Sequence, residues 1–203
     1  MNSNKKLIII GAGGHGRVCA EAASLSGYKE IAFLDDKNVE RLPVIGTLND
    51  IEKYICECCF FVAIGDNSLR KKILKNVKEL GGELASIIHP FSSVSKSAEI
   101  GEGTVIMAGA VVQANAKIGE GVIINTCSSV DHDCVVGNWT HVAVGARLAG
   151  SVKAGKSVFL GAGCVILNNL SVTDNCVVGA GSAVICNIND VGTYVGVPAR
   201  RIK

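Results

Sequence analysis

Aromatic side chains are scarce, at 4% of 203 residues, and proline is nearly missing, with 3. A core with so few rings has to be filled by small and branched side chains, which suits narrow, repetitive packing. Net charge is almost absent too: 20 Lys plus Arg stand against 18 Asp plus Glu. A nucleic-acid binder shows a clustered basic excess, so that class is excluded. Low charge with a mean hydropathy of +0.37 excludes a disordered chain. No apolar run approaches the roughly 18 residues of a membrane span. The stretch Leu7 to Ile10 is also shorter than the about 7–15 residues of a secretory signal core. The expectation is a cytoplasmic chain. Its nine cysteines, an odd number, read as free thiols.

What the chain does have is glycine, 24 residues, and branched aliphatics in strict order. Stepping by six from Val94 meets Ile100, Ile106, Val112, Ile118, Ile124, Val130, Val136, Val142, Leu148, Ala154, Leu160, Ile166, Val172, Val178 and Val184. Fifteen of these sixteen are branched aliphatics, and no insertion breaks the register. Small side chains such as Ala98, Ala110, Ser128 and Ala146 lie two residues before them, and Gly101, Gly119, Gly137 and Gly155 recur every 18 residues. Three hexads therefore form one unit. The spacing predicts a prism-shaped parallel β-helix, each hexad a short strand and a bend, with the aliphatics stacked inside. The glycines are expected to supply backbone conformations closed to other residues. Cys134, Cys164 and Cys176 fall in the small slots and read as apolar filler. Cys127 has no base paired with it in sequence, so a small-residue role is preferred to that of an acyl-accepting nucleophile. Cys56, Cys58 and Cys59 lack the further ligands a zinc site needs.

The first 89 residues follow another pattern. A buried strand over 5–10 leads into Gly-Ala-Gly-Gly-His-Gly at Gly11 to Gly16, then a helix to about Leu25. Further strands are expected at 31–34, 60–64 and 84–88, with a basic helix around 69–80. The result is a small parallel α/β sheet. The G-x-G-x-x-G turn after a strand fits a phosphate cradle, and Asp35 and Asp36 stand where carboxylates take a ribose or base. The segment is too short for the second half of a dinucleotide fold, so a mononucleotide diphosphate is expected. His15 lies in the phosphate turn, either exposed at the helix start or facing the ligand.

Polar residues interrupt the repeat in its middle coils. His132 follows inward-facing Val130 by two positions, so it projects outward between Asp131 and Asp133. Flanking carboxylates favour the imidazolium and raise basicity, as a general base requires. His141 and Asn125 lie nearby in sequence. A zinc site on such a β-helix takes three imidazoles, and only His132 and His141 fall within the repeat, so no metal is expected.

The combination of G-A-G-G-H-G, F-L-D-D, A-I-G-D-N, S-S-V-D-H-D-C-V-V-G, T-H-V-A-V-G and G-V-P-A-R resembles the bacterial nucleotide-sugar acyltransferases over essentially the whole chain. Within them it is similar to UDP-4-amino-sugar N-acetyltransferases and their sialic-acid O-acetyltransferase relatives. The resemblance implies a Rossmann-like nucleotide-sugar domain over 1–89 and a left-handed β-helix over 90–203. It also implies a homotrimer, with acetyl-CoA bound between neighbouring β-helices and no metal. By residue, His132 matches the catalytic base and Asp133 the acid that strengthens it, where relatives often carry glutamate. His141 matches a contact to the acetyl donor and Gly150 a backbone N–H near the thioester carbonyl. Ala162 and Ala180 match the cofactor channel. Gly13, Gly14, His15, Asp35, Asp36 and Gly65 match nucleotide-sugar contacts, with Asn125 near the sugar. The activity so implied is N-acetylation of a nucleotide-linked, UDP-type 4-amino-4,6-dideoxy sugar in bacterial glycan biosynthesis, by direct transfer. A sialic-acid-type O-acetyltransferase and a non-catalytic sugar-nucleotide-binding β-helix are the alternatives.

Overall fold

The computed structural model describes residues 5–37 and 42–203; residues 1–4 and 38–41, which belong to the expected first domain, lie outside the described residues. The N-terminal sheet comprises β1 (Lys6–Ile10), β2 (Ile31–Leu34), β3 (Val44–Gly46), β4 (Cys58–Val62) and β5 (Glu83–Leu84). Its strands are parallel in the order β3-β2-β1-β4-β5. Helices α1 (Gly14–Leu25) and α2 (Asn67–Glu79) accompany it. Leu7 to Ile10 are fully buried, as expected of a central parallel strand covered on both faces. Two elements of the N-terminal unit escaped the sequence pattern: β3, and a 3-10 turn at Leu48–Tyr54 started by a Thr47–Asp50 capping box.

The strand expected over 84–88 is two strands. Glu83–Leu84 closes the N-terminal sheet, whereas Ile87–Ile88 pairs with Val105–Ile106 and opens the β-helix. Ala85 and Ser86 make the crossing: Ala85 N donates to Phe60 O of the first sheet, and Ser86 Oγ donates to Gly101 O of the second unit. The strand expected at 60–64 runs two residues earlier, with Cys58 and Cys59 buried in it.

From there the chain winds as a left-handed parallel β-helix with three faces. The first face begins at Ile87–Ile88, the second at Ser93–Val94 and the third at Glu99–Ile100. Each strand up to Val165–Ile166 pairs with the strand 18 residues on, and Val177–Val178 pairs with Thr193–Val195 at a spacing of 16. The stepped aliphatics fill the interior; Ile106, Val130, Val142, Leu160, Ile166 and Val178 are all fully buried. Burying one such side chain contributes about 1.5–3 kcal/mol. Cys134, Cys164 and Cys176 are buried among them, and burial pushes the Cys164 thiol up to about 12.

Every sixth residue from Gly103 to Gly181 turns a corner with φ between +55° and +68°, and eight of these corner residues are not glycine. The glycines of the 18-residue repeat have a different job from the one expected. Gly101 and Gly137 do not have positive φ; a Cβ on either would stand 2.5 Å from the backbone of the next coil. They permit close approach of one coil to the next.

The N-terminal unit covers part of the first face. That face's outward row runs Ile87, Val105, Ile123, His141, Phe159, Val177. Its first three members are buried in one cluster with Leu7, Ile9, Cys19, Ala22 and Ala23. The row turns polar at His141, where the covering ends. Helix α2 lies along the edge between the third and first faces, where a side chain on Gly121 would collide with Leu74.

Candidate active site

The glycine turn follows from close packing. Gly11 has φ +103°, and a Cβ on Gly16 would run into Gly11 O, so the helix starts directly on the strand end. Around Gly13, by contrast, nothing lies within 4 Å of the Cβ position. That open space sits at the N-terminus of α1, where free N–H groups favour an anion. Asp35 supports the turn, with Oδ2 accepting from Ala12 N (2.7 Å) and Oδ1 from Lys37 N (2.8 Å). Asp36 is the more exposed of the pair and accepts from Leu48 N (3.2 Å).

A second group lies in the crevice between the N-terminal unit and the first face. His141 is 9% exposed, and its ring meets Phe159 edge-on at 5.2 Å. Asn125 Oδ1 accepts from Thr126 N (2.8 Å), which turns Asn125 Nδ2 toward His141 Nε2 at 3.2 Å. Nε2 therefore accepts, and the proton sits on Nδ1. That buried Nδ1 makes no hydrogen bond among the described residues. Burial foremost, then the Arg70 charge, holds the His141 pKa down to about 4, against a smaller opposing effect of the Gly65 backbone. His15 also stays neutral, at about 4, through burial and the Arg70 charge. Gly65 lies at the same crevice, beside a cavity of about 470 Å³ lined by Asp66, Asn67, Ser68, Ser157 and Phe159.

The third group is on the corner between the second and third faces. His132 N donates to Asp131 Oδ1 (2.7 Å), and Asp133 bends back with φ +58°. The His132 Nδ1–H then donates to Asp133 Oδ2 at 2.8 Å, while Asn115 Nδ2 donates to Asp133 Oδ1 at 3.2 Å. This leaves Nε2 as the free lone pair. The Asp133 hydrogen bond raises the His132 pKa. A Cβ on Gly150 would lie 2.6 Å from His132 Nε2, so the ring rests directly over that glycine. Gly150 O accepts from Asn169 N, whereas the Gly150 N–H has no acceptor among the described residues.

The expected site residues thus fall into separate groups. His132, Asp133 and Gly150 share one corner; Asn125, His141, His15 and Gly65 share the crevice on the opposite side. The width of the prism, on the order of 15 Å from about 3.3 Å per residue along each side, stands between them. Exposed Ala162 and Ala180 stack on the corner after the first face, joined by Gly181 N to Ala162 O (2.8 Å). Sequence reading placed Gly16 in the fingerprint but did not find Arg70. The third glycine of the fingerprint was the signal for Gly16; nothing local marked Arg70.

The same fold occurs in proteins of known activity. The acetyltransferase domain of PglB from Neisseria gonorrhoeae FA1090 is 41% identical with a TM-score of 0.95, covering 98% of this chain and 100% of that one. A second structure of that domain holds acetyl coenzyme A. The chain belongs to the β-helix sugar N-acetyltransferases. PerB from Caulobacter crescentus, solved with CoA and GDP-perosamine, is 36% identical with a TM-score of 0.94, each chain being covered to 98%. Residues 6–77 match the PglD N-terminal domain. A UDP-N-acetylbacillosamine N-acetyltransferase of Bacillus subtilis (strain 168) is 38% identical over 112 residues, 51% of this chain and about half (52%) of that protein. As in the family, the N-terminal half-Rossmann unit precedes the β-helix. Among the described residues no helix of the chain is long and apolar enough to cross a membrane.

Proposed function

We propose that the chain transfers the acetyl group of acetyl-CoA to the amine of a UDP-linked 4-amino-4,6-dideoxy sugar, in the cytoplasm, as a step of bacterial glycan biosynthesis. One observation carries the mechanism: a His132–Asp133 dyad with its Nε2 lone pair free beside an unpaired Gly150 N–H. The amine nitrogen attacks the thioester carbonyl carbon while His132 Nε2 removes an amine proton. Gly150 N–H stabilises the oxygen as it becomes negative. The C–S bond then breaks, and the imidazolium proton goes to the departing thiolate. Products are the N-acetylated sugar and CoA, with no acyl-enzyme.

The two groups on opposite sides of the prism meet only if protomers associate. In the homotrimer of this reading, His132 of one protomer faces the crevice of the next, built on the partner's His141, Asn125 and His15. The glycine turn and Asp36 hold the nucleotide there, with phosphates over Gly13 and Gly14. Asp35 supports the turn from beneath. Ala162 and Ala180 leave a smooth corner for the pantetheine arm.

UDP-, GDP- and dTDP-linked 4-amino sugars, each incubated with acetyl-CoA and read by thiol release, test this. Fastest release with the UDP sugar supports the reading. A faster GDP sugar overturns the choice of base, release with free sialic acid alone favours O-acetylation, and no release with any acceptor contradicts catalysis.

A further inference from the structure

Arg70 is 1% exposed, among the most buried side chains of the protein, yet no carboxylate accepts a hydrogen bond from it. A guanidinium has five N–H donors. Here Nε donates to Gly121 O (2.8 Å), Nη1 to Ile64 O (2.9 Å) and Gly65 O (3.1 Å), and Nη2 to Asn67 Oδ1 (2.7 Å) and Trp139 O (2.6 Å). Three acceptors belong to the loop after β4 and the start of α2. The other two, Gly121 and Trp139, are stacked corner residues of the β-helix, and Trp139 opens the turn into the strand that carries His141. Asn67 extends the link by donating from Nδ2 to Val158 O (3.1 Å). Stability alone is poorly served this way, since apolar replacements of buried charges are often neutral or better. A planar fork satisfied on two units fixes their relative position instead.

We propose that Arg70 is a positioning residue of the transfer site, a buried clamp that holds the sugar-nucleotide loop Ile64–Asn67 at a fixed distance from the coil bearing His141. This rests on the reading of the crevice as the acceptor site. The same cation faces both crevice histidines and disfavours their protonation. Burial lowers the Arg70 pKa to about 10, and Asp66, which caps α2 through Leu69 N, is the charged neighbour that opposes this shift. Lys71 and Lys75 point to the outer side, over the Trp139 ring. Losing the fork therefore moves the loop, and losing the charge also changes the histidines.

Arg70→Lys and Arg70→Gln separate these effects, in full-length protein whose fold and oligomeric state are checked by circular dichroism and light scattering. Arg70→Lys should raise KM for the sugar nucleotide by roughly 10–10²-fold and that for acetyl-CoA by less than about threefold, as a loosened acceptor loop requires. Its His141 should stay neutral, as read by ring-proton NMR. Arg70→Gln should show the same KM change and a raised His141 pKa. A folded Arg70→Lys with both KM values unchanged overturns the proposal, as does a loss of thermal stability with no KM change. If neither variant folds, Asn67→Ala, which removes one acceptor of the fork, should give a smaller rise in the same KM; an unchanged KM there overturns the clamp. Amide exchange makes the test independent of the substrate. In Arg70→Lys the Gly65–Asn67 amides should exchange at least about tenfold faster while those of the aliphatic coils do not. Unchanged exchange contradicts the clamp even if no sugar nucleotide is turned over, an outcome that would count separately against the acetyltransfer reading.

Discussion

The imidazole of His132 covers the α-carbon of Gly150 so closely that a methyl group there would stand 2.6 Å from Nε2. The base and the proposed oxyanion donor are thus held by one contact between neighbouring coils. Gly150→Ala should push the ring aside without touching the aliphatic interior. We expect kcat to fall by roughly 10–10²-fold with both KM values nearly unchanged, measured by thiol release on protein with a native circular dichroism spectrum. Full activity would mean that the ring position has no role in catalysis.

Asp133 governs the pH at which His132 can act. The hydrogen bond that His132 donates to Asp133 raises the His132 pKa, and a base must be deprotonated, so activity should rise with pH through that raised value. Asp133→Asn removes the charge that favours the imidazolium, and the acid limb of kcat/KM should move to lower pH while the maximum falls. The profile is read against wild type on the same amine, whose own titration then cancels. An acid limb that stays in place would show that another group sets it.

His141 and His15 tie stability to pH in the opposite sense. Both are held neutral at about 4 against an ordinary 6.5. Between those values the unfolded chain binds more protons, so stability should be full above pH 6.5 and decline as pH falls toward 4. Each site can cost up to about 3 kcal/mol over that interval. Urea unfolding from pH 7 to 4 measures it, and His141→Asn should flatten the slope. A mutant slope equal to that of wild type would contradict the buried neutral form.

Much of the architecture was legible because the interior of a narrow prism accepts so few side chains. The row from Val94 to Val184 fixes the register of every coil, and Gly11 to Gly16 marks the strand-to-helix turn. The corner conformations were hidden, since Asn115, Asp133, Trp139 and Ser151 adopt a backbone usually read from glycine. The break after Leu84 was hidden too: Leu84 to Ile88 is apolar enough to read as one strand, and only the pairing of Ile87–Ile88 with Val105–Ile106 divides it. Arg70 sits among lysines on a basic helix, and its burial depends on the β-helix packed against it. The separation of the histidines was present in plain arithmetic. His132 and His141 are nine residues apart on an 18-residue coil, half a turn, which places them on opposite sides.

That half turn supplies the most direct test. His132→Ala should lower turnover by roughly 10²–10⁴-fold as a homotrimer, and His141→Ala should also be impaired. Unfolding the two together in equal amounts and refolding them lets each crevice meet a neighbour of either kind. If the base comes from the next protomer, about one quarter of the sites should pair an intact His132 with an intact His141 in random trimers. Activity should recover to about that fraction of wild type, above the average of the two separate variants. A mixture no more active than the average of its two components would contradict a site shared between protomers.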